Sequence, residues 1–357
     1  MKEIGNRKKV LFFLPPNVGG AERMTITYAK LLDKDLYSIK FVVVGKERGD
    51  IINFIPEEYE ALFIKTRNIY DFVTLRIYRL LRKECPDIVF CSLMYLSPRL
   101  IVAAKLKGNI KIIIRSNIGL FRINSSLSRF LTRKTFPLAD KIILQTQEMY
   151  DEAREWFGDD IQDKFITIPN PIDKQTIDNN ISTGKNPYDV SYMNYVFVGR
   201  ISYVKGIDVL LNAFEEIIDK IPNARLYIVG KVESEDYYQS LLEFIKKNNI
   251  SDRIIFVGFQ INPHIYIKHA DCLVLPSRVE GMPNVVIDAM YLKTPVVVTR
   301  SVPVIEELVD DEHGITIPVD DVNALAIAML KMQNMNIEKS YSNMSESLVK
   351  NIFNTIC

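Results

Sequence analysis

The chain has 357 residues, 48% of them apolar and 25% charged, which is material for about two domains with separate cores; its net charge is only +1, yet residues 1–180 carry 29 Lys and Arg against 22 Asp and Glu, and residues 181–357 carry 16 against 22. No apolar run approaches the length that crosses a bilayer, and Val10–Leu14, preceded by Arg7, Lys8 and Lys9, ends at Pro15-Pro16 too soon for a secretion signal, so a cytoplasmic protein is expected. Cys85, Cys91, Cys272 and Cys357 have neither metal-ligand spacing nor a disulfide pattern, which excludes a zinc module and a cross-linked scaffold.

In chain order, strand-like runs fall at Val10–Leu14, Ile39–Val44, Ile88–Cys91, Ile112–Ile114 and Lys141–Gln145, with helix-length segments between them. Alternating strand and helix predicts a doubly wound parallel sheet. The first run leads into Pro15-Pro16-Asn17-Val18-Gly19-Gly20-Ala21-Glu22-Arg23 and then a helical pattern through Leu32. Gly19 and Gly20 let the backbone approach a ligand, and the amides of the helix start offer an anion site. Alone, the segment reads equally as a tight turn with no ligand, and it is not a dinucleotide fingerprint because Gly-x-Gly-x-x-Gly is absent. Between Asp87 and Asp140 no acidic residue occurs, while Arg99, Lys105, Lys107, Lys111, Arg115, Arg122, Arg129, Arg133 and Lys134 all do. Within it Leu120, Phe121, Leu127, Phe130, Leu131 and Phe136 alternate with Arg122, Arg129, Arg133 and Lys134, an amphipathic basic segment suited to an anionic membrane surface. Nucleic acid is not expected, since the second half is acidic and carries no recognised binding module.

The polar stretch from Asp178 to Asn194 is the candidate linker, after which strand-like runs resume at Tyr195–Val198, Arg225–Val229, Ile254–Val257, Cys272–Leu275 and Val296–Val298. The first of these ends at Gly199, and Arg200 and Lys205 lie before a helix starting near Gly206 or Ile207. Two cations beside a helix N-terminus can neutralise a diphosphate and stabilise it as a leaving group. Further on, Glu280 and Asp288 flank Gly281-Met282-Pro283-Asn284, with Pro283 suited to a first helical turn. The helix-start amides can hold a phosphate, Glu280 can accept hydrogen bonds from hydroxyls, and Asp288, about two turns on, can reach a further hydroxyl pair. Such a site suits a sugar carried on a nucleotide diphosphate. His264 and His269, on a helical stretch before Asp271, are expected in surface or packing roles.

The segments at 199–206 and 276–290, with weaker support at 17–22 and 256–259, resemble retaining glycosyltransferase family four, whose signature reads Pro-Ser-x-x-Glu-Gly-x-Pro-x-x-x-x-Glu-Ala. The second acid of that signature is Asp288 here, shorter by one methylene. The resemblance implies the GT-B fold, two Rossmann-like α/β domains facing across a cleft. The divisions expected are an acceptor-side domain at 1–178, a linker at 179–194, a nucleotide-sugar domain at 195–335 and a final helical segment at 336–357 returning to the first domain. It further implies that Glu280 contacts the donor sugar, Asp288 the ribose, Arg200 and Lys205 the pyrophosphate, and Gly258 with Phe259 the base. Gly19 and Gly20 would face the donor phosphates, and Asn170 would lie in a structural turn. Many relatives carry a first-domain histidine where this chain reads Arg115-Ser116-Asn117; its three histidines, His264, His269 and His313, all lie in the second half.

The function implied is a retaining, metal-independent transferase that moves a sugar from a nucleotide diphosphate, a UDP-sugar above all, to a hydroxyl of a glycan or lipid-linked oligosaccharide for surface polysaccharide assembly. It needs no bound cofactor and would work peripherally on the inner face of the cell membrane. Alternatives are a nucleotide-sugar epimerase or phosphorylase on a related scaffold, or a binding protein that has lost turnover.

Overall fold

A computed structural model describes residues 7–66, 73–123 and 125–356, while Cys357 and the side chains of Arg122 and Asn334 lie outside the described residues. The chain forms two compact units, Met1–Pro171 with Asn343–Cys357, and Ile172–Ser342.

The first unit runs β1 (Lys8–Leu14), α1 (Gly20–Lys30), β2 (Tyr37–Gly45), β3 (Glu60–Lys65), α2 (Val73–Glu84), β4 (Ile88–Cys91), α3 (Ser97–Lys107), β5 (Lys111–Arg115), α4 (Ser126–Thr135), β6 (Lys141–Leu144), α5 (Gln147–Phe157) and β7 (Phe165–Thr167). Its strands are parallel in the order β3-β2-β1-β4-β5-β6-β7. Central strands of such a sheet are covered on both faces, which is why Val10 to Leu14 and Ile88 to Cys91 are unbroken apolar runs and are buried throughout.

The second unit runs α6 (Lys174–Ser182), β8 (Met193–Val198), α7 (Ile207–Ile218), β9 (Ala224–Val229), α8 (Glu235–Lys247), β10 (Ile254–Gly258), α9 (His264–His269), β11 (Cys272–Leu275), α10 (Asn284–Tyr291), β12 (Val296–Thr299), α11 (Val304–Leu308), β13 (Gly314–Ile317) and α12 (Val322–Lys331). Its parallel sheet has the order β10-β9-β8-β11-β12-β13. The last helix, α13 (Ser345–Thr355), belongs to the first unit. Val349, Ile352 and Phe353, at i, i+3 and i+4, form its buried face, and the Phe353 ring stacks on Phe12 and Phe90 with centroids 6.0 and 6.1 Å apart.

Two features differ from the expected organisation. Residues 179–194 are not all linker: α6 reaches Ser182, and Ile172, Ile177 and Tyr188 pack into the second core, so the division falls at Ile172 rather than 178. Asp173 caps α6 by accepting from Thr176 N at 3.1 Å, so the helix starts ahead of the expected linker and its last turn runs into it. Strands β3, β7 and β13 escaped the apolar-run reading because they are short or lie at sheet edges, where fewer side chains need be apolar.

Candidate active site

In the second sheet the strand order reverses between β8 and β11, so the connections leaving these two neighbours diverge at their carboxyl ends. Such a reversal opens a crevice, the usual ligand position of an open α/β sheet. The connection after β8 is Gly199–Gly206 and the one after β11 is Pro276–Pro283, so folding brings together the two segments that carry the charged candidates.

Their close approach is built from backbone. Gly206 takes φ +66°, and a Cβ there would lie 2.1 Å from the Pro276 carbonyl oxygen. The Gly206→Ala variant should lower stability by about 2–4 kcal/mol, from left-handed strain plus a clash with backbone that cannot move aside; the midpoint of chemical unfolding measures it.

Arg278 then joins the two loops. Its backbone N–H donates to Val204 O at 2.8 Å, and Nη1 donates to Tyr203 O at 2.6 Å. Nη1 and Nη2 hold the two oxygens of Asp208 at 2.9 and 2.7 Å, and Nε faces Asp320 at 2.7 Å. The guanidinium lies 3.9 Å from the Tyr203 ring centroid, and Asp208 also accepts from Tyr237 Oη at 2.6 Å. The hydrogen bond to Asp208 raises Arg278 further above its ordinary pKa, against the effect of burial. Burial alone would raise Asp208, but the hydrogen bonds from Arg278 and Tyr237 pull it below its ordinary 3.8. A depressed carboxyl stabilises the fold above its unfolded value and loses that contribution as pH falls through its folded value. The loops should therefore stay joined above pH 3.8 and loosen below it, and Asp208→Asn should flatten that part of an acid-unfolding curve.

On this frame Lys205 Nζ meets Glu280 Oε1 at 2.6 Å, with side chains only 16% and 11% exposed. The structure therefore brings together the two residues on which sequence reasoning placed most weight. Arg200 does not join them; it pairs with Glu233 on the exposed surface. Gly281, Met282 and Pro283 form the turn into α10, Pro283 standing one residue before the helix rather than inside it, and Asn284 opening it. Gly258 closes β10 at φ +77°, and Phe259 beside it is exposed. Asp288, on α10, is not isolated: His264 Nε2 approaches its Oδ2 at 3.4 Å, and His264 Nδ1 lies 2.9 Å from Asn180 Nδ2. His264, expected in a surface or packing role, is buried and faces a candidate ligand-binding acid, a contact made across three helices and invisible in spacing.

In the first unit, Gly20 opens α1 and Gly19 stands at its N-cap, in the connection that follows β1. β1 and β4 are the reversal point of that sheet. The basic block is less exposed than its composition implies. Arg115 is buried, with Nη2 donating to Asn170 Oδ1 at 2.5 Å and its guanidinium 5.6 Å from the Tyr28 ring, so Asn170 is held in the interior. Lys105 and Lys111 both reach Asp140. Leu120 and Phe136 are core residues, whereas Phe121, Leu127 and Phe130 are exposed alongside Arg129, Arg133 and Lys134. The amphipathic reading thus applies to these six residues and not to the whole segment.

Two parallel α/β units, with a Lys–Glu pair on the loops that leave the reversal point of the second sheet, fit the GT-B fold of glycosyltransferases. Residues 18–176 match the model of Glycosyltransferase Family 4 and residues 193–334 that of Glycosyl transferases group 1, and the chain belongs to this family. It is 23% identical over 364 residues to the N-acetylgalactosamine-N,N'-diacetylbacillosaminyl-diphospho-undecaprenol 4-alpha-N-acetylgalactosaminyltransferase of Campylobacter jejuni, covering 96% of this chain and 95% of that one. A shorter match, 31% over 192 residues, joins 52% of this chain to an uncharacterized glycosyltransferase of Methanocaldococcus jannaschii and spans about half of that protein, 46%. The structure of Anabaena HepE in complex with UDP and glucose superposes with a TM-score of 0.75 at 17% identity, covering 98% of this chain and 95% of that one. The protein is a glycosyltransferase with relatives in polysaccharide and lipid-linked glycan assembly.

Proposed function

We propose that the enzyme transfers a sugar from a UDP-sugar, with retention of configuration and without a metal, to a hydroxyl of a lipid-linked glycan in surface polysaccharide assembly. The observation that carries this reading is the Lys205–Glu280 pair, nearly buried and framed by Arg278 between the two diverging loops. Support for the nucleotide comes from the HepE complex with UDP and glucose, and for the acceptor from the diphospho-undecaprenol named for the Campylobacter relative.

In this reading Lys205 and Arg200 neutralise the diphosphate, Gly258 and Phe259 meet the base, Asp288 holds the ribose hydroxyls, and Glu280 holds the donor sugar. The glycosidic bond forms between the acceptor oxygen and the anomeric carbon as the bond from that carbon to the diphosphate breaks. The acceptor proton passes to the departing phosphate oxygen on the same face, so no side-chain base is required. Lys205 stabilises the charge that grows on the leaving group, which is where an electrostatic contact lowers a barrier.

Calorimetry with UDP-, GDP- and ADP-sugars, with and without chelator, tests the donor; product formation on a diphospho-polyprenol acceptor, with the anomeric configuration read by NMR, tests the transfer. Binding of UDP-sugars alone and chelator-insensitive turnover are expected, and turnover that needs added metal would overturn the metal-independent reading.

No helix among the described residues is long and apolar enough to cross a membrane. The exposed Phe121, Leu127 and Phe130 beside Arg129, Arg133 and Lys134 support peripheral attachment to the inner face of the cell membrane. Each cation near an anionic surface contributes about 1 kcal/mol. Sedimentation with anionic vesicles should therefore fall in high salt and in the Phe121→Ser, Leu127→Ser, Phe130→Ser triple variant, and neutral vesicles should retain little.

A further inference from the structure

The geometry points to His264 as the residue that aims Asp288 at the ribose hydroxyls of the donor, with Asn180 fixing the ring. The inference rests on the proposed ribose contact of Asp288. Asn180 lies on α6, His264 opens α9 and Asp288 lies on α10, so the three side chains form a chain across three helices of one unit.

Each contact assigns a role to the next. Asn180 Nδ2 carries only protons, so at 2.9 Å it donates to His264 Nδ1. The remaining ring proton then sits on Nε2, 3.4 Å from Asp288 Oδ2. That separation is longer than a fully formed N–H···O bond and acts as an orienting electrostatic contact. The backbone of Asn180 is itself held, since Asn262 Nδ2 donates to the Asn180 main-chain carbonyl oxygen at 2.7 Å. Gly184 packs against the Ile265 side chain of α9, where a Cβ would lie 2.4 Å from Cδ1.

The arrangement answers the shortened acid. Aspartate has one fewer rotatable bond than glutamate, so its carboxylate is placed by the helix and by whatever touches one oxygen. Asp288 is a quarter exposed and His264 almost wholly enclosed, which puts the fixed partner on the protein side and leaves the carboxylate accessible to a ligand. A pair of vicinal hydroxyls binds well to a carboxylate held in one orientation, and loses affinity when ordering must accompany binding. A histidine that only filled space would be replaceable by any side chain of similar volume.

The test is the affinity of UDP and of 2′,3′-dideoxy-UDP, by calorimetry, for the parent and for Asp288→Asn, His264→Leu and His264→Gln. Glutamine offers an N–H to Asp288 and a carbonyl oxygen to Asn180, so it keeps both contacts; leucine keeps neither. The parent should bind UDP about tenfold more tightly than the dideoxy analogue, a difference typical of a hydrogen bond to a charged group. That preference should disappear in Asp288→Asn and in His264→Leu and persist in His264→Gln, while dideoxy-UDP affinity changes less than about twofold throughout. A parent without the preference overturns the ribose role of Asp288 and this inference with it. A preference lost in Asp288→Asn but kept in His264→Leu overturns the role of His264 alone, and one lost equally in His264→Gln and His264→Leu shows packing rather than aim. If His264→Leu does not fold, Asn180→Leu takes its place, with an unchanged preference counting against the inference.

Discussion

Lys205→Ala should lower turnover by about 10²–10³-fold, and Glu280→Gln by a similar factor, yet only Lys205→Ala should weaken UDP binding. In the free protein Lys205 and Glu280 hold each other at 2.6 Å in a largely enclosed setting. A diphosphate therefore competes with Glu280 for the ammonium. Removing Lys205 removes the cation that would meet the phosphates, and UDP affinity should fall about tenfold. Neutralising Glu280 releases Lys205, so UDP should bind equally or more tightly while the sugar loses its hydroxyl partner and turnover drops. Calorimetry with UDP beside single-turnover kinetics separates the two. Equal loss of UDP affinity in both variants would mean that the pair acts only as a structural tie.

Arg278→Ala should have the largest effect on stability among the charged positions, about 2 kcal/mol, discounted because Asp208 is about one-third exposed. One side chain holds a bidentate carboxylate, a backbone carbonyl and an aromatic face, and its removal loosens the 202–206 loop from the 276–283 loop, leaving the backbone bond from Arg278 N–H to Val204 O. Arg278→Lys should recover little, since an ammonium cannot reproduce the planar fork. The readout can be made local: the single tryptophan, Trp156, lies in α5 of the first unit. Its fluorescence transition in denaturant should stay in place while the circular-dichroism transition gains an earlier step from the second unit. Turnover should fall with the loops, because Lys205 and Glu280 sit on the segments Arg278 joins. Unchanged activity with lowered stability would separate the clamp from the reaction.

Much of the architecture was legible because central parallel strands must be apolar on both faces, and Val10–Leu14, Ile88–Cys91 and Val296–Val298 are such runs. Edge strands β3 and β13 have no such requirement and were missed. The motif residues Gly199, Arg200, Lys205, Gly206 and Glu280 were also legible, since a strand end, a short loop and a helix start are local events. Their partners were not. Arg278 stood two residues from Glu280 without a signal of its own, because its contacts with Asp208 and Asp320 are 70 and 42 positions away.

Local sequence determined the two rounds of strand and helix, the loops at the strand ends, and the charges those loops carry, because each depends on residues within a few positions of one another. Tertiary structure decided which charges meet. The reversal of strand order between β8 and β11 set Lys205 against Glu280 and left Arg200 with Glu233. Helix packing buried His264 against Asp288, and the interior of the first unit took Arg115 out of the basic surface to which composition had assigned it. Distance along the chain says nothing about these pairings; they follow from which faces of the helices and sheets must be hidden from water.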